Sequence, residues 1–383
     1  MPEKLIIRNF GPIVNVELIL RKVNILIGDQ GTGKSTIGKL LLVLKTIASN
    51  NEKSQYISEK GLSDREFLVD EFISKRLKEN FYKELESSEL KNYLNFDSYI
   101  HFTSESCNIL VEKNIITLDP NIKSEGKNTN INYFIPAYRE AYILLRNNYP
   151  ALLNSKAILP SILNTFGQLF NNFRESIKSF DFNDIMGVKY DYKNGSDVIT
   201  LNNGKEITFE ESSSAVNSVT PMLVVFEGII NLISQSKDRV YFHHYCPFIS
   251  IEEPELNCYP STQKKLIEYL IGHIKFPDYE KSNEVFCNLL ITTHSPYILT
   301  SLNNLMYAYQ VGKQYEDETV KIVPKRFWIN PDDVSAYRLT NGVQENILDS
   351  NNENLIKAEK IDEVSEILNK QFDSLLNLEF VNK

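Results

Sequence analysis

Nine consecutive residues carry the clearest chemistry in the chain. Gly28-Asp29-Gln30-Gly31-Thr32-Gly33-Lys34-Ser35-Thr36 satisfies G-x-x-x-x-G-K-[ST] at every fixed position. Glycine lets backbone N–H groups approach phosphate oxygens, and a helix that starts just after such a loop favours negative charge at its N-terminus. The pattern assigns Lys34 to the β- and γ-phosphates of a nucleotide and the Ser35 hydroxyl to a magnesium ion. Thr36 and the neighbouring amides would contact the α- and β-phosphates. Gly28, Asp29, Gln30, Gly31, Thr32 and Gly33 would form the cradle, so ATP with Mg2+ is the expected pair of ligands.

Such a loop needs an acidic partner. Residues 247–255, Pro-Phe-Ile-Ser-Ile-Glu-Glu-Pro-Glu, read as an apolar strand that ends in consecutive carboxylates. Parallel sheets bind ligands at the carboxyl ends of their strands, which places Glu252 near the magnesium and Glu253 where a base could orient attacking water. A further apolar run, residues 286–291, ends in Thr292-Thr293-His294-Ser295-Pro296. His294 is therefore expected at the same edge, placed to sense the γ-phosphate.

The elements that must position these groups are legible around them. Residues 5–10 and 13–20 read as two short strands joined at Gly11-Pro12, an opening antiparallel hairpin. A third strand, residues 23–27, runs straight into the glycine loop. Ile37, Leu40, Leu41, Leu44 and Ile47 then recur at helical spacing. Residues 260–273 look helical, with Pro260 acceptable in the first turn. The expectation is an α/β fold built on a mixed sheet.

Composition narrows the class. A chain of 383 residues with 42% hydrophobic content can bury a full core. Its longest apolar runs, residues 40–44 and 223–226, fall short of the roughly 20 residues that span a bilayer. The first residues lack the basic flank, apolar core and cleavage site of a secretory signal. No membrane partner and a cytoplasmic location are expected. Cys107, Cys246, Cys258 and Cys287 never pair as C-x-x-C, and the five histidines make no ligand ladder with them, which speaks against disulfides and structural zinc. His243 and His244 are neighbours on an expected strand, and their side chains would point to opposite faces. A net charge of −9 argues against a nucleic-acid footprint over the whole surface, although a local basic face is compatible with it.

With these segments in view, the chain resembles an ABC-type ATPase of the SMC/RecF branch, and within it the OLD-like family of prokaryotic AAA ATPases. The resemblance runs through residues 6–42, 133–139, 212–223, 248–266 and 289–302, roughly a quarter of the chain. It implies a P-loop NTPase fold of ABC-ATPase type and the same roles for the glycine loop, the acidic strand and His294. It further implies that Ser212-Ser213-Ser214-Ala215-Val216-Asn217-Ser218 is the signature loop, similar to S-S-G-x-Q in relatives. Ser213, Ser214 and Asn217 would then contact the γ-phosphate bound by a second subunit, in a head-to-tail homodimer. Ala215 stands where glycine is expected and Asn217 where glutamine is usual. Alanine adds a Cβ where backbone should approach phosphate, while asparagine keeps an amide at similar reach, so weak or partner-dependent hydrolysis is expected. Taken by its residues alone, the serine run is a polar helix N-cap or loop. Ile135-Pro136-Ala137-Tyr138-Arg139 resembles the family's recurrent I-P-A-x-R stretch, which puts Arg139 near the nucleotide or the dimer seam.

The expected organisation is an ATPase head from residues 1–48 and 210–305, an inserted helical and antiparallel arm or lid over 49–209, and a C-terminal cap over 306–383 that completes the head. Within the insertion, 64–94 and 151–180 look helical, while 99–118 and 188–209 look strand-like. Asn194-Gly195 and Asn203-Gly204 are hairpin-turn signals. No sustained heptad appears, which excludes long coiled-coil arms. The tail carries an Asn341-Gly342 turn and an amphipathic helix over 361–378, apolar at Val364, Ile367, Leu368, Phe372 and Leu375. OLD nucleases have a metal-dependent TOPRIM domain at this position. Here Asp332-Asp333 follows Asn330-Pro331 and reads as a turn, so a nuclease or toxin effector is expected on a separate polypeptide.

Three functions fit. The leading one is a dimeric ATPase subunit of a two-component anti-phage defence system, resembling the ATPases of Septu, PARIS and retron-linked systems. The second is a RecF/SMC-like DNA-maintenance ATPase that touches nucleic acid directly. The third is a nucleotide-gated scaffold with little turnover. A transporter ATPase fits less well, because 212–218 departs from L-S-G-G-Q.

Overall fold

The computed structural model describes residues 3–59, 66–104, 107–120, 131–145, 160–236, 247–278, 283–349, 354–357 and 363–381. The chain opens with the expected hairpin, β1 (Glu3–Phe10) and β2 (Ile13–Leu20), in register from Glu3 opposite Leu20 to Phe10 opposite Ile13. Next, β3 (Val23–Gly28) enters the glycine loop and α1 (Lys34–Glu59) leaves it. After α2 (Glu66–Ser87) comes an antiparallel meander, β4 (Tyr99–Thr103), β5 (Cys107–Glu112) and β6 (Ile115–Pro120). A short strand, β7 (Tyr133–Ile135), leads into α3 (Arg139–Leu145), and α4 (Ser161–Ile177) follows.

A separate four-stranded antiparallel sheet then forms from β8 (Ser179–Phe182), β9 (Val188–Lys193), β10 (Ser196–Leu201) and β11 (Glu206–Thr208), with the single-turn α5 (Asn183–Met186) after β8. Asn194 and Gly195 take φ of +52° and +80°, the left-handed pair that a tight hairpin turn demands. From there the chain runs through α6 (Ser214–Ser236), β12 (Phe248–Glu252) and α7 (Pro260–His273). The hairpin of β13 (Lys275–Asp278) and β14 (Asn283–Phe286) precedes β15 (Asn288–Thr293), α8 (Pro296–Gly312) and α9 (Glu316–Ile322). The tail supplies β16 (Val334–Thr340), β17 (Val343–Asn346), the small pair β18 (Leu348–Asp349) and β19 (Leu355–Ile356), and α10 (Glu363–Val381).

One mixed sheet organises the molecule, with strand order β6-β5-β4-β1-β2-β17-β16-β3-β15-β12-β7. The block β16-β3-β15-β12-β7 is parallel, so its carboxyl ends share one edge. Both faces of that block are covered. Ile25 and Ile27 of β3 join the cluster of α4, α6, α7 and α8, whereas Leu26 joins Ile37, Leu40, Leu41 and Leu44 of α1 on the opposite face. Burial on two sides is why β3, β12 and β15 are mostly apolar without a regular polar alternation, and why Asn24 and Ser250 within them are buried too.

One region is placed differently from the sequence expectation. Residues 99–135, assigned above to the inserted arm of 49–209, instead supply β4, β5, β6 and β7 to the main sheet. β4 pairs with the free edge of β1 and β7 with the free edge of β12, partners far away in sequence that no local pattern announces. The tail enters the same sheet: β16 lies parallel to β3, and β17 reaches β2. Asp332 and Asp333 do form a turn, a short 3₁₀ segment capped by the Asn330 side chain.

The stretch Ser214–Ser234 is long and apolar enough to cross a membrane, but 83% of it is buried inside the protein, so it acts as a core helix. The apolar stripe of α10 is in solvent, with Ile367, Leu368, Phe372 and Leu375 between 52% and 64% exposed. His243, His244 and Cys246 lie outside the described residues.

Candidate active site

The glycine loop sits between the tip of the opening hairpin and β16. Gly28 has φ of +155°, and a Cβ there would fall 2.2 Å from the Leu339 carbonyl oxygen. Gly33, at φ of +101°, turns the chain into α1, whose first ladder bond runs from Ile37 N–H to the Gly33 carbonyl at 3.0 Å. The Lys34 ammonium is folded onto its own loop, donating to the carbonyls of Gly28 at 2.7 Å and Asp29 at 2.8 Å. Burial pushes this ammonium below its usual range, opposed by the negative charges of Glu253, Asp29, Glu255 and Glu252. The Thr32 hydroxyl also donates to the Asp29 carbonyl. Asp29, Gln30, Gly31 and Ser35 face solvent, while Thr36 is buried.

Glu252 ends β12 and is 2% exposed. Its Oε2 accepts from the Ala137 N–H at 3.0 Å, and the Ser35 hydroxyl bonds to the same carboxylate. Its Oε1 is buried with no hydrogen-bond partner. Burial raises this carboxyl above the usual glutamate range, with Ser35, the Ala137 amide and Lys39 pulling the other way. A buried carboxylate with one oxygen unsatisfied is costly, and a divalent cation beside the Ser35 hydroxyl would satisfy it. The donor set therefore suits magnesium: Ser35, Glu252 and the phosphates of a nucleotide are all hard oxygen ligands.

Glu253 lies one residue on, in the left-handed region at φ of +43°. A glutamate rarely adopts that conformation, and it persists only where its surroundings enforce it. The Glu253 N–H donates to the Thr292 carbonyl at 2.8 Å, and the Glu253 carbonyl accepts from Leu256 N–H at 3.1 Å. His294 Nε2 stands 3.4 Å from Glu253 Oε1, both side chains being about one-third exposed. Sequence reasoning left Glu255 without a role. The structure gives it one, since Glu255 Oε1 accepts from the Thr293 hydroxyl and from the His294 N–H at 2.9 Å, fixing the end of β15. The signal available was its place as the third carboxylate of Glu-Glu-Pro-Glu.

Arg139 stands behind these carboxylates, not at the open mouth. It is fully buried and all five of its donors are used. Nε donates to the Ser218 carbonyl at 2.8 Å and Nη1 to the carbonyls of Pro136 at 3.0 Å and Glu252 at 2.8 Å. Nη2 donates to the Ser218 hydroxyl at 3.3 Å and the Glu253 carbonyl at 2.9 Å.

Lys34, Ser35, Glu252, Glu253 and His294 thus converge at the carboxyl edge of β3, β12 and β15. Ser213, Ser214 and Asn217 stand apart at the start of α6. Ser213 and Ser214 are exposed. Asn217 is buried and turned inward, accepting from the Ser212 hydroxyl at 3.0 Å and donating to the Ser212 carbonyl at 3.4 Å. The path from this segment to the acidic edge runs through Ser218 and Arg139.

No family model matches the chain. No curated protein matches it. Among solved structures, it is similar to the SMC head domain from Thermotoga maritima, at 11% identity, over 90% of this chain and 97% of that one, with a TM-score of 0.37. The Smc head domain with an extended coiled coil bound to the C-terminal domain of ScpA, from Pyrococcus furiosus, matches at 11% identity over 96% and 100%, with a TM-score of 0.39. The recombination mediator protein RecF with ATP matches at 12% identity over 90% and 99%, with a TM-score of 0.38.

Proposed function

We propose that this chain binds ATP with magnesium at residues 28–36 and hydrolyses its β–γ phosphoanhydride bond to give ADP and phosphate, as an ABC-type ATPase of the SMC/RecF branch. The observation that carries the reading is the buried Glu252, its Oε1 unsatisfied beside Ser35, at the same sheet edge as the Glu253–His294 pair. Lys34, which donates to the carbonyls of Gly28 and Asp29, is the cation that would turn to the β- and γ-phosphates. Ser35 and Glu252 would hold the magnesium, which when bound neutralises charge on the phosphate oxygens. Glu253 orients the attacking water and takes its proton, and His294 beside it contacts the γ-phosphate.

We read the exposed Ser213 and Ser214 as serving a nucleotide held by a second copy, in a head-to-tail dimer formed on ATP. The ATP state would control a separate effector, a nuclease or toxin, in anti-phage defence; the support for that role is the sequence resemblance alone. Light scattering with and without magnesium and ATP tests the dimer, and co-purification with the product of the adjacent gene tests the effector. A chain that stays monomeric with ATP bound would remove the dimer from the account, and one that captures no neighbour and protects no cell from phage would remove the defence role.

One observation favours the gated scaffold as a second reading. The Asn217 amide is engaged by Ser212, and Ala215 occupies the glycine position of the signature. ATP-dependent dimerisation without turnover would select that reading.

A further inference from the structure

Arg139 is a costly residue to bury, and its bonds show what it does there. A fully buried guanidinium loses its hydration, and an apolar side chain of similar volume would serve stability as well. Its five donors go to carbonyls and a hydroxyl of three elements: its own turn at Pro136, the end of β12 at Glu252 and Glu253, and the start of α6 at Ser218. The residue it grips at the end of β12 is the one held at φ of +43°. Three residues further along α6, Pro221 cannot donate to the helical ladder.

We infer that Arg139 is a positioning residue that holds the Glu253 backbone in its left-handed conformation and, through Ser218, couples that backbone to the start of α6. A group docking on residues 212–218 then acts on the base through a rigid two-bond link, without touching it. The longest of the five bonds, from Nη2 to the Ser218 hydroxyl at 3.3 Å, is the one with room to tighten when α6 is engaged. The inference rests on the ATPase reading, with the γ-phosphate of a second copy's nucleotide as the docking group.

The test compares the full chain with its Ser218→Ala and Arg139→Lys variants, by ATP turnover and by amide hydrogen exchange. Ser218→Ala deletes one hydroxyl and keeps the carbonyl contact, so kcat should fall about three- to tenfold at unchanged KM. Lysine supplies fewer bonds in no fixed plane, and the displaced base should cost about 100-fold in kcat, again with KM held. In both variants the amides of Glu253 and Leu256, bonded to the Thr292 and Glu253 carbonyls, should exchange faster than in the parent. A loss of kcat matched by a rise in KM overturns the inference, as does unchanged exchange at those two amides. If the parent binds ATP but does not turn it over, the hydrolysis reading fails by itself, and exchange at Glu253 and Leu256 alone decides the coupling. Should Arg139→Lys not fold, Ser218→Ala carries the decision.

Discussion

Replacing Gly28 by alanine should unsettle the site through a contact with the tail of the chain. The added Cβ would lie 2.2 Å from the Leu339 carbonyl oxygen and 3.1 Å from its carbon. Carbon and oxygen approach comfortably to about 3.3 Å, so β3 and β16 must part by about 1 Å where Gly28 and Leu339 are in register. Neither neighbour is a flexible side-chain tip, so the strain is borne by backbone. Overpacking of this kind costs about 1–3 kcal/mol. A conformation reserved for glycine adds about 1–3 kcal/mol. The sum is a large share of the roughly 5–15 kcal/mol that holds a domain together. Gly31→Ala is the control: its φ is +75°, but nothing lies within 4 Å of the new Cβ, so only conformational strain of about 1–2 kcal/mol is expected. Denaturant unfolding of the ligand-free chain reads both, and ATP affinity should fall further in Gly28→Ala, where the loop's root is displaced. A Gly28→Ala variant no less stable than Gly31→Ala would refute the argument.

Lys34→Ala removes the cation proposed to turn to the β- and γ-phosphates and should weaken ATP binding about 10- to 100-fold by calorimetry. His294→Ala should lower kcat about 10- to 100-fold while ATP affinity stays within about threefold, because the imidazole faces Glu253. Burial raises Glu252 and Glu255 above the ordinary glutamate value of 4.5. Folded carboxyls raised in this way bind more protons than unfolded ones, so the ligand-free protein loses stability as pH rises from 4.5 through their folded pKa values. Glu252→Gln removes one share of that loss. Urea unfolding should show it more stable than the parent at neutral pH and flatter with pH, while magnesium ceases to strengthen its ATP binding.

Much of the site could be read from the sequence because its parts are local. A strand, a glycine loop and a helix are contiguous in residues 23–47, and the acidic strand and the Thr-His-Ser-Pro strand each end on their own chemistry. The Asn-Gly turns of the small sheet are likewise local, since φ above zero is a property of single residues. What escaped was long-range. The reason Gly28 must be glycine lies at Leu339, and the bonds of Arg139 lead to Ser218 and Glu253, partners that no spacing rule connects. The strands β4 to β7 look like any half-buried strands, and only the free edges of β1 and β12 decide that they join the main sheet. For α10 the amphipathic pattern predicted the helix but could not say that its apolar face would stay in solvent.

The central claim is that a nucleotide is bound at residues 28–36 and cleaved with Glu253 as base. Its most direct test is ATP turnover by the purified chain beside Glu253→Gln, with bound nucleotide quantified in both. The account predicts that turnover falls at least about 100-fold in the variant while ATP remains bound. Equal turnover in the two proteins, or no nucleotide bound by either, would contradict it.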